Sequence, residues 1–444
     1  MGCLFGNVDH KQKGAGCVLN KILLFSHSGF SDTDANGITM KNLLSAWPAA
    51  EKAEFYCDVQ PPDFEAASNY FRVTDMQMLK AFLGKKSRHV FTEEATNKSV
   101  TKETPQRERI QRIPAWAKAY KYNFWVKWTR EWLKQISPWG HRNLRKWIAE
   151  VNPDVIMYMV GESLFMDRLV LRTCARTGKP LVLYNGEAFR IIDLKTRRGI
   201  ERAYYRRCQK LYEELNQKAS LVIYNSETLK TDYEKRYVPS AKAMVVYNSA
   251  LCDYPVYQPQ DGTPKVVYFG NLGVGRSDSL LKVADALQDI SQNVVLDIYG
   301  NASPEASRAF EAHPGICYRG FVDAVTLRNI ISDADILIHA ESFDKAIIPK
   351  LRYAFSTKIA QCLGAGRCFV SFAPAQIASS QYLAKADGAI LVSNEVELKE
   401  TLRQLIEDPV LRQAYALKVA QTGRNHHNMQ TNAQRVKKEV GTIL

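Results

Sequence analysis

Short runs that are apolar throughout, separated by stretches in which apolar residues recur every three or four positions, set the rhythm of this chain. The first half contains four such runs: Lys21 to Ser26 (KILLFS), VIMYMV from Val155, LVLYN from Leu181 and LVIYNS from Leu221. A strand with no polar face must be covered on both sides, and the helical stretches between the runs supply the cover. After KILLFS come the loop HSGFSDTDANG and a helix from about Ile38 to Trp47, and a further strand is predicted over Glu54 to Val59. Residues 84–106 are polar, with little periodicity, and read as a mobile connection.

Past the Pro- and Gln-rich CDYPVYQPQDGTP the alternation restarts. VVYFG, a helix over 278–289, VVLDIYG, ICYRG, a helix over 324–332, DILIHA, a helix over 357–363, CFVSF, GAILV and a helical pattern from Glu395 follow in turn. This predicts an α/β protein with two Rossmann-like, doubly wound parallel-sheet domains facing a cleft, over 21–255 and 262–444. A chain of 444 residues is also too long for one ordinary core. Residues 1–20 read as a disordered lead, and the last helix is a candidate to cross back to the first domain.

Charge narrows the partners. The formal net charge of +14 calls for an anionic partner: nucleic acid, anionic lipid or a phosphorylated substrate. Between Arg107 and Lys146 lie eleven Lys or Arg, two acidic residues and five of the seven tryptophans, with Trp147 directly after. That mixture suits a water–lipid interface better than a duplex groove, so an anionic membrane surface is expected as a partner and nucleic acid is not. Trp125, Trp128 and Trp132 recur at helical spacing, with Lys121, Lys127, Arg130 and Lys134 among them, as an interfacial amphipathic helix requires. Trp147, with Leu144, Ile148 and Val151, is assigned to the core instead. No apolar run approaches the ~20 residues needed to span a bilayer. Met-Gly-Cys at the start looks like a lipidation signal, but Gly6 stands where myristoylation wants Ser or Thr. Nine scattered cysteines without a CxxC pair indicate neither a disulfide framework nor a zinc site, which fits a reducing cytosol.

The chemistry concentrates between Val266 and Val370. A strand ending in Gly270 runs into Asn271, Gly273, Gly275 and Arg276; Glu341 follows the strand DILIHA; and Ser356, Thr357 and Lys358 open a helix carrying Gln361. Cations and helix-start amides placed together are what a nucleotide diphosphate requires.

These residues resemble the GT-B glycosyltransferases, specifically glycosyltransferase family 4 of the bacterial cell-surface polysaccharide type, over nearly the whole chain. In that family an Arg after the strand-end glycine and a Lys five residues later grip the donor diphosphate. Asn271 stands at the first place and Arg276 at the second. The resemblance matches Glu341 to the first of two family glutamates, beside the donor sugar. Gln361 stands for the second, which binds the ribose, in STKIAQCLGAGRCFV, where many members read Ser-Lys-(Ile/Leu)-x-Glu-Tyr-Leu-Ala-Ala-Gly. Gly300 (IYGN) and Phe321 (YRGF) fall where the base is held. In the first half Gly37 lies on the loop that closes over the donor phosphates, and Asp34, Asn36 and Glu162 border the acceptor. Asp32-Thr33-Asp34 has the DxD form of metal-dependent transferases of another fold, but the resemblance implies no metal and no cofactor beyond the donor. The family often carries a His after the fifth strand; here LYNGEAFR puts Glu187 nearest that place. His27 is the one histidine on a predicted cleft loop, and is more simply solvated or packed.

The resulting expectation is a retaining, metal-independent hexosyltransferase. Arg276, Lys358, Glu341 and Glu187 are its catalytic candidates, a nucleotide-diphosphate sugar its donor, and a glycan or lipid-linked glycan its acceptor, at the cytoplasmic face of a membrane. Two alternatives stand beside it: a catalytically silent nucleotide-sugar-binding scaffold, favoured by Asn271, Gln361 and the absent His, and a GT-B-like sugar-nucleotide epimerase.

Overall fold

The computed structural model describes residues 20–93, 123–239 and 241–444. The first sheet is built from β1 (Ile22–Phe25), β2 (Lys52–Tyr56), β3 (Asn69–Arg72), β4 (Val90–Thr92), β5 (Val155–Met159), β6 (Leu181–Asn185), β7 (Ala219–Tyr224) and β8 (Lys242–Val245). Their order is β4-β3-β2-β1-β5-β6-β7-β8, and only the β3–β4 pair is antiparallel. The second sheet contains β9 (Val266–Phe269), β10 (Leu296–Tyr299), β11 (Ile316–Gly320), β12 (Ile336–Ala340), β13 (Cys368–Phe372) and β14 (Ile390–Val392). It is parallel throughout, in the order β11-β10-β9-β12-β13-β14. Strand order reverses between β1 and β5 in one sheet and between β9 and β12 in the other. The carboxyl ends of those strands are where such sheets leave a crevice.

The apolar runs became strands because both faces are covered: every residue of β1, β5, β6, β9, β12 and β13 is buried. The expected strand at Glu54 to Val59 is corrected to Lys52–Tyr56. It begins on a buried lysine, whose ammonium donates to Leu44 O at 3.2 Å, so the hydrophobic pattern conceals its start. Strand β4 falls inside the stretch read as a connection, whose part from residue 94 lies outside the described residues, as do residues 1–19 of the lead.

The chain passes between the sheets twice, and the two passages are bonded to each other. Ala250 N donates to His427 O at 2.9 Å and Met429 N to Ala250 O at 3.0 Å. His427 is fully buried there, with Nδ1 2.6 Å from Asn248 O and Nε2 2.7 Å from the Tyr382 hydroxyl. The helix Met429–Gly441 then returns to the first sheet, where Val436 and Val440 join the cluster of Ile22, Leu24, Met40 and Tyr56.

The Trp-rich region corrects the charge pattern read from the sequence. Helix His141–Val151 buries Leu144, Trp147, Ile148 and Val151. In helix Phe124–Ile136, however, the basic residues are held in ion pairs. Lys127 pairs with Glu162, Arg130 with Asp75 at 2.6 Å, and Lys134, itself buried, lies 3.4 Å from Glu131. Glu131 in turn caps helix Leu164–Thr177, accepting from Ser163 Oγ at 2.7 Å and Phe165 N at 3.0 Å. Asp75 and Glu162, from distant segments, engage Arg130 and Lys127, while Lys134 follows its partner Glu131 one turn along the same helix. Lys121 lies outside the described residues.

Candidate active site

The carboxyl end of β9 is built for close approach. Gly270 has φ +120 and Gly300, past β10, has φ +155; a Cβ on Gly300 would come 2.0 Å from Gly270 O. The turn that follows is fixed from within, for Asn271 Oδ1 accepts from Gly273 N at 2.8 Å while Asn271 O accepts from the Tyr268 hydroxyl at 2.8 Å. Val274 (φ 61) and Gly275 (φ 72) are both left-handed, an unusual conformation for a β-branched residue, and Gly275 caps the helix Arg276–Ile290.

Arg276, first residue of that helix, reaches Glu341 just beyond β12: Nη2 to Oε1 is 2.8 Å, with both side chains largely buried. His339, two residues earlier and on the same strand face, holds Nε2 3.4 Å from the same oxygen, long for a hydrogen bond but close enough for electrostatics. Its Nδ1 is 3.0 Å from Ser371 Oγ on β13. Burial opposes the charge on Glu341, yet His339 and Arg276 outweigh it and hold the carboxyl down at about 2. Glu341 Oε2 is also buried and has no hydrogen-bond partner among the described residues.

Lys358 enters from the other side. Ser356 caps the helix Thr357–Ala365, its hydroxyl accepting from Lys358 N at 3.3 Å, and Thr357 opens the first turn. The Lys358 side chain lies in the notch left by Gly270, where a Cβ would fall 1.6 Å from Lys358 Cε. The ammonium stands 5.7 Å from the centre of the Tyr268 ring. No carboxylate pairs with it among the described residues, and burial, then the neighbouring Arg276, lowers its pKa to about 8. Gln361, partly buried, follows one turn later on the same helix face. Phe321 stands exposed beyond β11. Arg276, Glu341 and Lys358 are thus brought together, with Gly270, Gly300, Asn271 and Gly273 framing them.

The first-domain candidates form a separate group. Glu187, two residues past β6, opens to solvent; the protein crowded around it, then the charge of Glu162, push it up to about 7. Its loop is pinned by the Tyr233 hydroxyl donating to Glu187 O at 2.8 Å and by the fully buried Arg190, whose Nη2 bonds Asp167 at 2.8 Å. Glu162 is already engaged by Lys127. Asp34 is the cap of helix Ala35–Leu43, accepting from Asn36 N and Gly37 N at 3.1 Å each, while Asp32 pairs with Lys41 at 2.8 Å. Asn36 is exposed on that first turn. A Cβ on Gly37 would meet Gly29 O at 2.6 Å, so this glycine lets the loop fold over the helix start. His27 lies against Gly161, and burial, with nearby cations, lowers its pKa to about 3.

Three residues were missed by sequence reasoning. His339 carried a faint signal, its spacing of two from Glu341 on a strand. Glu54 gave none: it is buried in β2 and holds the loop after β1 by accepting from Ser26 Oγ at 2.8 Å and Phe30 N at 3.0 Å. Asp232, on helix Glu227–Arg236 of the first domain, receives Arg352 at 2.8 Å and the Tyr353 hydroxyl at 2.9 Å. The long segment after β12 therefore reaches across to the first domain.

Two family models match the chain. One, described as Glycosyltransferase Family 4, covers residues 88–250, and the other, described as glycosyl transferase-like, covers 276–438. No curated protein matches it significantly. Among solved structures, HepE of Anabaena in complex with UDP aligns with TM-score 0.62 and 13% identity, over 95% of this chain and all of that one. Sucrose-phosphate synthase from Thermosynechococcus elongatus aligns with TM-score 0.58 and 13% identity, over 94% of this chain and 98% of that one. WaaG, a glycosyltransferase involved in lipopolysaccharide biosynthesis, gives TM-score 0.54 and 11% identity over 95% and 99%. At these identities the structures establish a shared fold.

Proposed function

We propose that this chain, a glycosyltransferase of GT-B fold and family 4 type, moves a hexose-type sugar from a nucleotide-diphosphate donor to a glycan or lipid-linked glycan acceptor, without a metal and with retention. The supporting observation is the convergence of Arg276 and Lys358 on the strand-end glycines beside a carboxylate, Glu341, that keeps one buried oxygen without a partner among the described residues.

A departing nucleotide diphosphate gains negative charge as the sugar bond breaks, and fixed cations in a partly dry site stabilise that charge most. Asn271 replaces one family cation, so the charges left at this spot are Arg276 and Lys358, which arrives from the other side of the notch. Glu341 holds Arg276 in place through Oε1 and offers Oε2 to a sugar hydroxyl. Gln361, facing the same way as Lys358, accepts from the ribose through its carbonyl oxygen. Glu187, poised near neutrality, is the group suited to an acceptor hydroxyl. In this reading the enzyme works in the cytoplasm, at the inner face of the membrane that holds its acceptor, and requires no cofactor beyond the donor.

A thermal-shift screen against UDP-, GDP-, ADP- and dTDP-sugars tests the reading. A bound donor at one hundred times its Kd adds about 2.7 kcal/mol to the folded state. Slow release of free sugar from the same donor marks an enzyme. No shift with any member would remove the nucleotide-sugar site, and saturable binding without release would favour the silent scaffold.

A further inference from the structure

The helix Asp75–Phe82 and the turn after it display Met76, Leu79, Phe82 and Leu83, each between 45% and 72% exposed. On a helical wheel these four fall within an arc of about 120°, and Met78 is buried at its border. The neighbouring helix Phe124–Ile136 displays Trp125, Trp132 and Ile136, between 48% and 58% exposed, at spacings of seven and four that keep them in one stripe. The two helices are joined by the Arg130–Asp75 pair and by Ser137 Oγ donating to Met78 O at 2.8 Å. Soluble proteins seldom leave so many large apolar side chains exposed together without a partner.

The charges around them have one sign. Lys80 borders the apolar side of the first helix, and Lys85 and Lys86 follow Leu83-Gly84, where Gly84 (φ +66) makes the turn. All three lysines are exposed, and none is in an ion pair among the described residues. The acids of this region, Asp75, Glu131 and Glu162, are neutralised from within by Arg130, Lys134 and Lys127. Outside these pairs, the charges beside the apolar side chains of the first helix and its turn are lysines. Tryptophan, leucine and phenylalanine edged by lysine are the side chains that settle at the boundary between acyl chains and anionic headgroups.

We propose that this helix pair is the surface by which the protein docks on an anionic lipid bilayer. Phe82 and Leu83 enter the acyl boundary, Trp125 and Trp132 lie at headgroup level, and Lys80, Lys85 and Lys86 meet the lipid phosphates. The bases that dock are thus not those within the Trp-rich helix. That helix, about 10 Å across, touches the Glu162 loop through Lys127 on the side away from its apolar stripe. A lipid-linked acceptor held in the bilayer would meet the Glu162–Glu187 side of the enzyme within that span. This deepens the proposed function, and rests on it for the identity of the acceptor.

The test is co-sedimentation, without donor, with phosphatidylcholine vesicles that contain or lack phosphatidylglycerol, at low and high salt. The wild type should sediment with the anionic vesicles only, and less at high salt. With about a fivefold loss per basic residue near an anionic leaflet, the triple variant Lys80→Glu, Lys85→Glu, Lys86→Glu should lose partitioning about a hundredfold or more. Phe82→Ser with Leu83→Ser should lose about tenfold or more. Every substituted side chain is exposed, so these variants should unfold at the wild-type temperature and keep the wild-type thermal shift with the donor. Equal sedimentation of wild type and variants, or none by the wild type at low salt, would overturn the proposal. A dimer in solution abolished by the same substitutions would also overturn it, assigning the face to a second copy of the chain. Vesicle binding without any donor shift would refute the proposed function and leave the docking surface standing.

Discussion

Gly270→Ala probes the second cation without touching it. At φ +120 an alanine is strained, at a cost of about 1–3 kcal/mol of stability. The new Cβ would fall 1.6 Å from Lys358 Cε and 2.5 Å from both Cδ and Nζ. These atoms are the outer part of a flexible side chain, so the helix Thr357–Ala365 stays in place and the ammonium leaves the notch. If it serves the leaving diphosphate there, its displacement removes about 2–4 kcal/mol of transition-state stabilisation, about 30- to 1000-fold in kcat/KM. Steady-state transfer or donor hydrolysis should be measured for Gly270→Ala, Lys358→Ala and the double variant, with thermal unfolding alongside. Because both changes remove the same charge, the double variant should be no worse than the poorer single one. Near-wild-type kcat/KM in a folded Gly270→Ala, or single effects that multiply in the double variant, would refute the reasoning.

Three further outcomes are expected. Arg276→Ala should lower kcat/KM by about two to three orders of magnitude and lower Tm as well, since Glu341 is left buried without its guanidinium; unchanged turnover in a folded variant would remove this arginine from the mechanism. Glu341→Gln should lower turnover strongly, whereas Gln361→Glu should preserve or enlarge the thermal shift with the donor, and loss of that shift in a folded Gln361→Glu would move the ribose elsewhere. Burial holds His427 neutral, to about 4, and His27 to about 3. The unfolded chain takes up two protons near pH 6.5 that these folded histidines refuse. Their contribution to stability, present above pH 6.5, therefore falls as pH drops toward 4 with a slope approaching about 2.7 kcal/mol per pH unit. It runs against the opposite slope of Glu54 and Glu187, whose carboxyls burial raises to about 8 and about 7. His427→Gln should remove about half of that slope in a plot of stability against pH, and an unaltered slope would assign the effect to other groups.

The sheets were legible wherever strands are buried on both faces, because nothing else needs four or five apolar residues in a row. Three strands of the first sheet were not: NYFR, VFT and KAMV are short and carry polar ends, so they look like loop, whereas both edges of the second sheet, within ICYRG and GAILV, could be read. Of the candidate site, the resemblance put Arg276, Glu341 and Lys358 on one side of one sheet. It could not give the ion pair that spans 65 residues, nor the route by which Lys358 reaches Gly270. Spacing alone also misdirected the Trp-rich helix. Periodicity gives the faces of a helix but not which of them is covered, and Asp75 and Glu162 decide that from two other segments.

The return of helix Met429–Gly441 to the first sheet ties the assembly of that domain to the timing of synthesis. Val436 and Val440 fill the core beneath β1, yet about 190 residues separate them from the end of the domain's own segment near Ala250. At ribosomal speeds of ~5–20 residues per second the gap lasts roughly 10–40 s. During that interval the first sheet is formed but its core stands open beside Ile22, Leu24 and Met40. Nascent first domain would then be the species that chaperones hold, while the second domain, complete in itself, folds ahead of it. Pulsed proteolysis of stalled chains should find β1 protected only after residue 441 has emerged; earlier protection would mean that the first domain closes without its last helix.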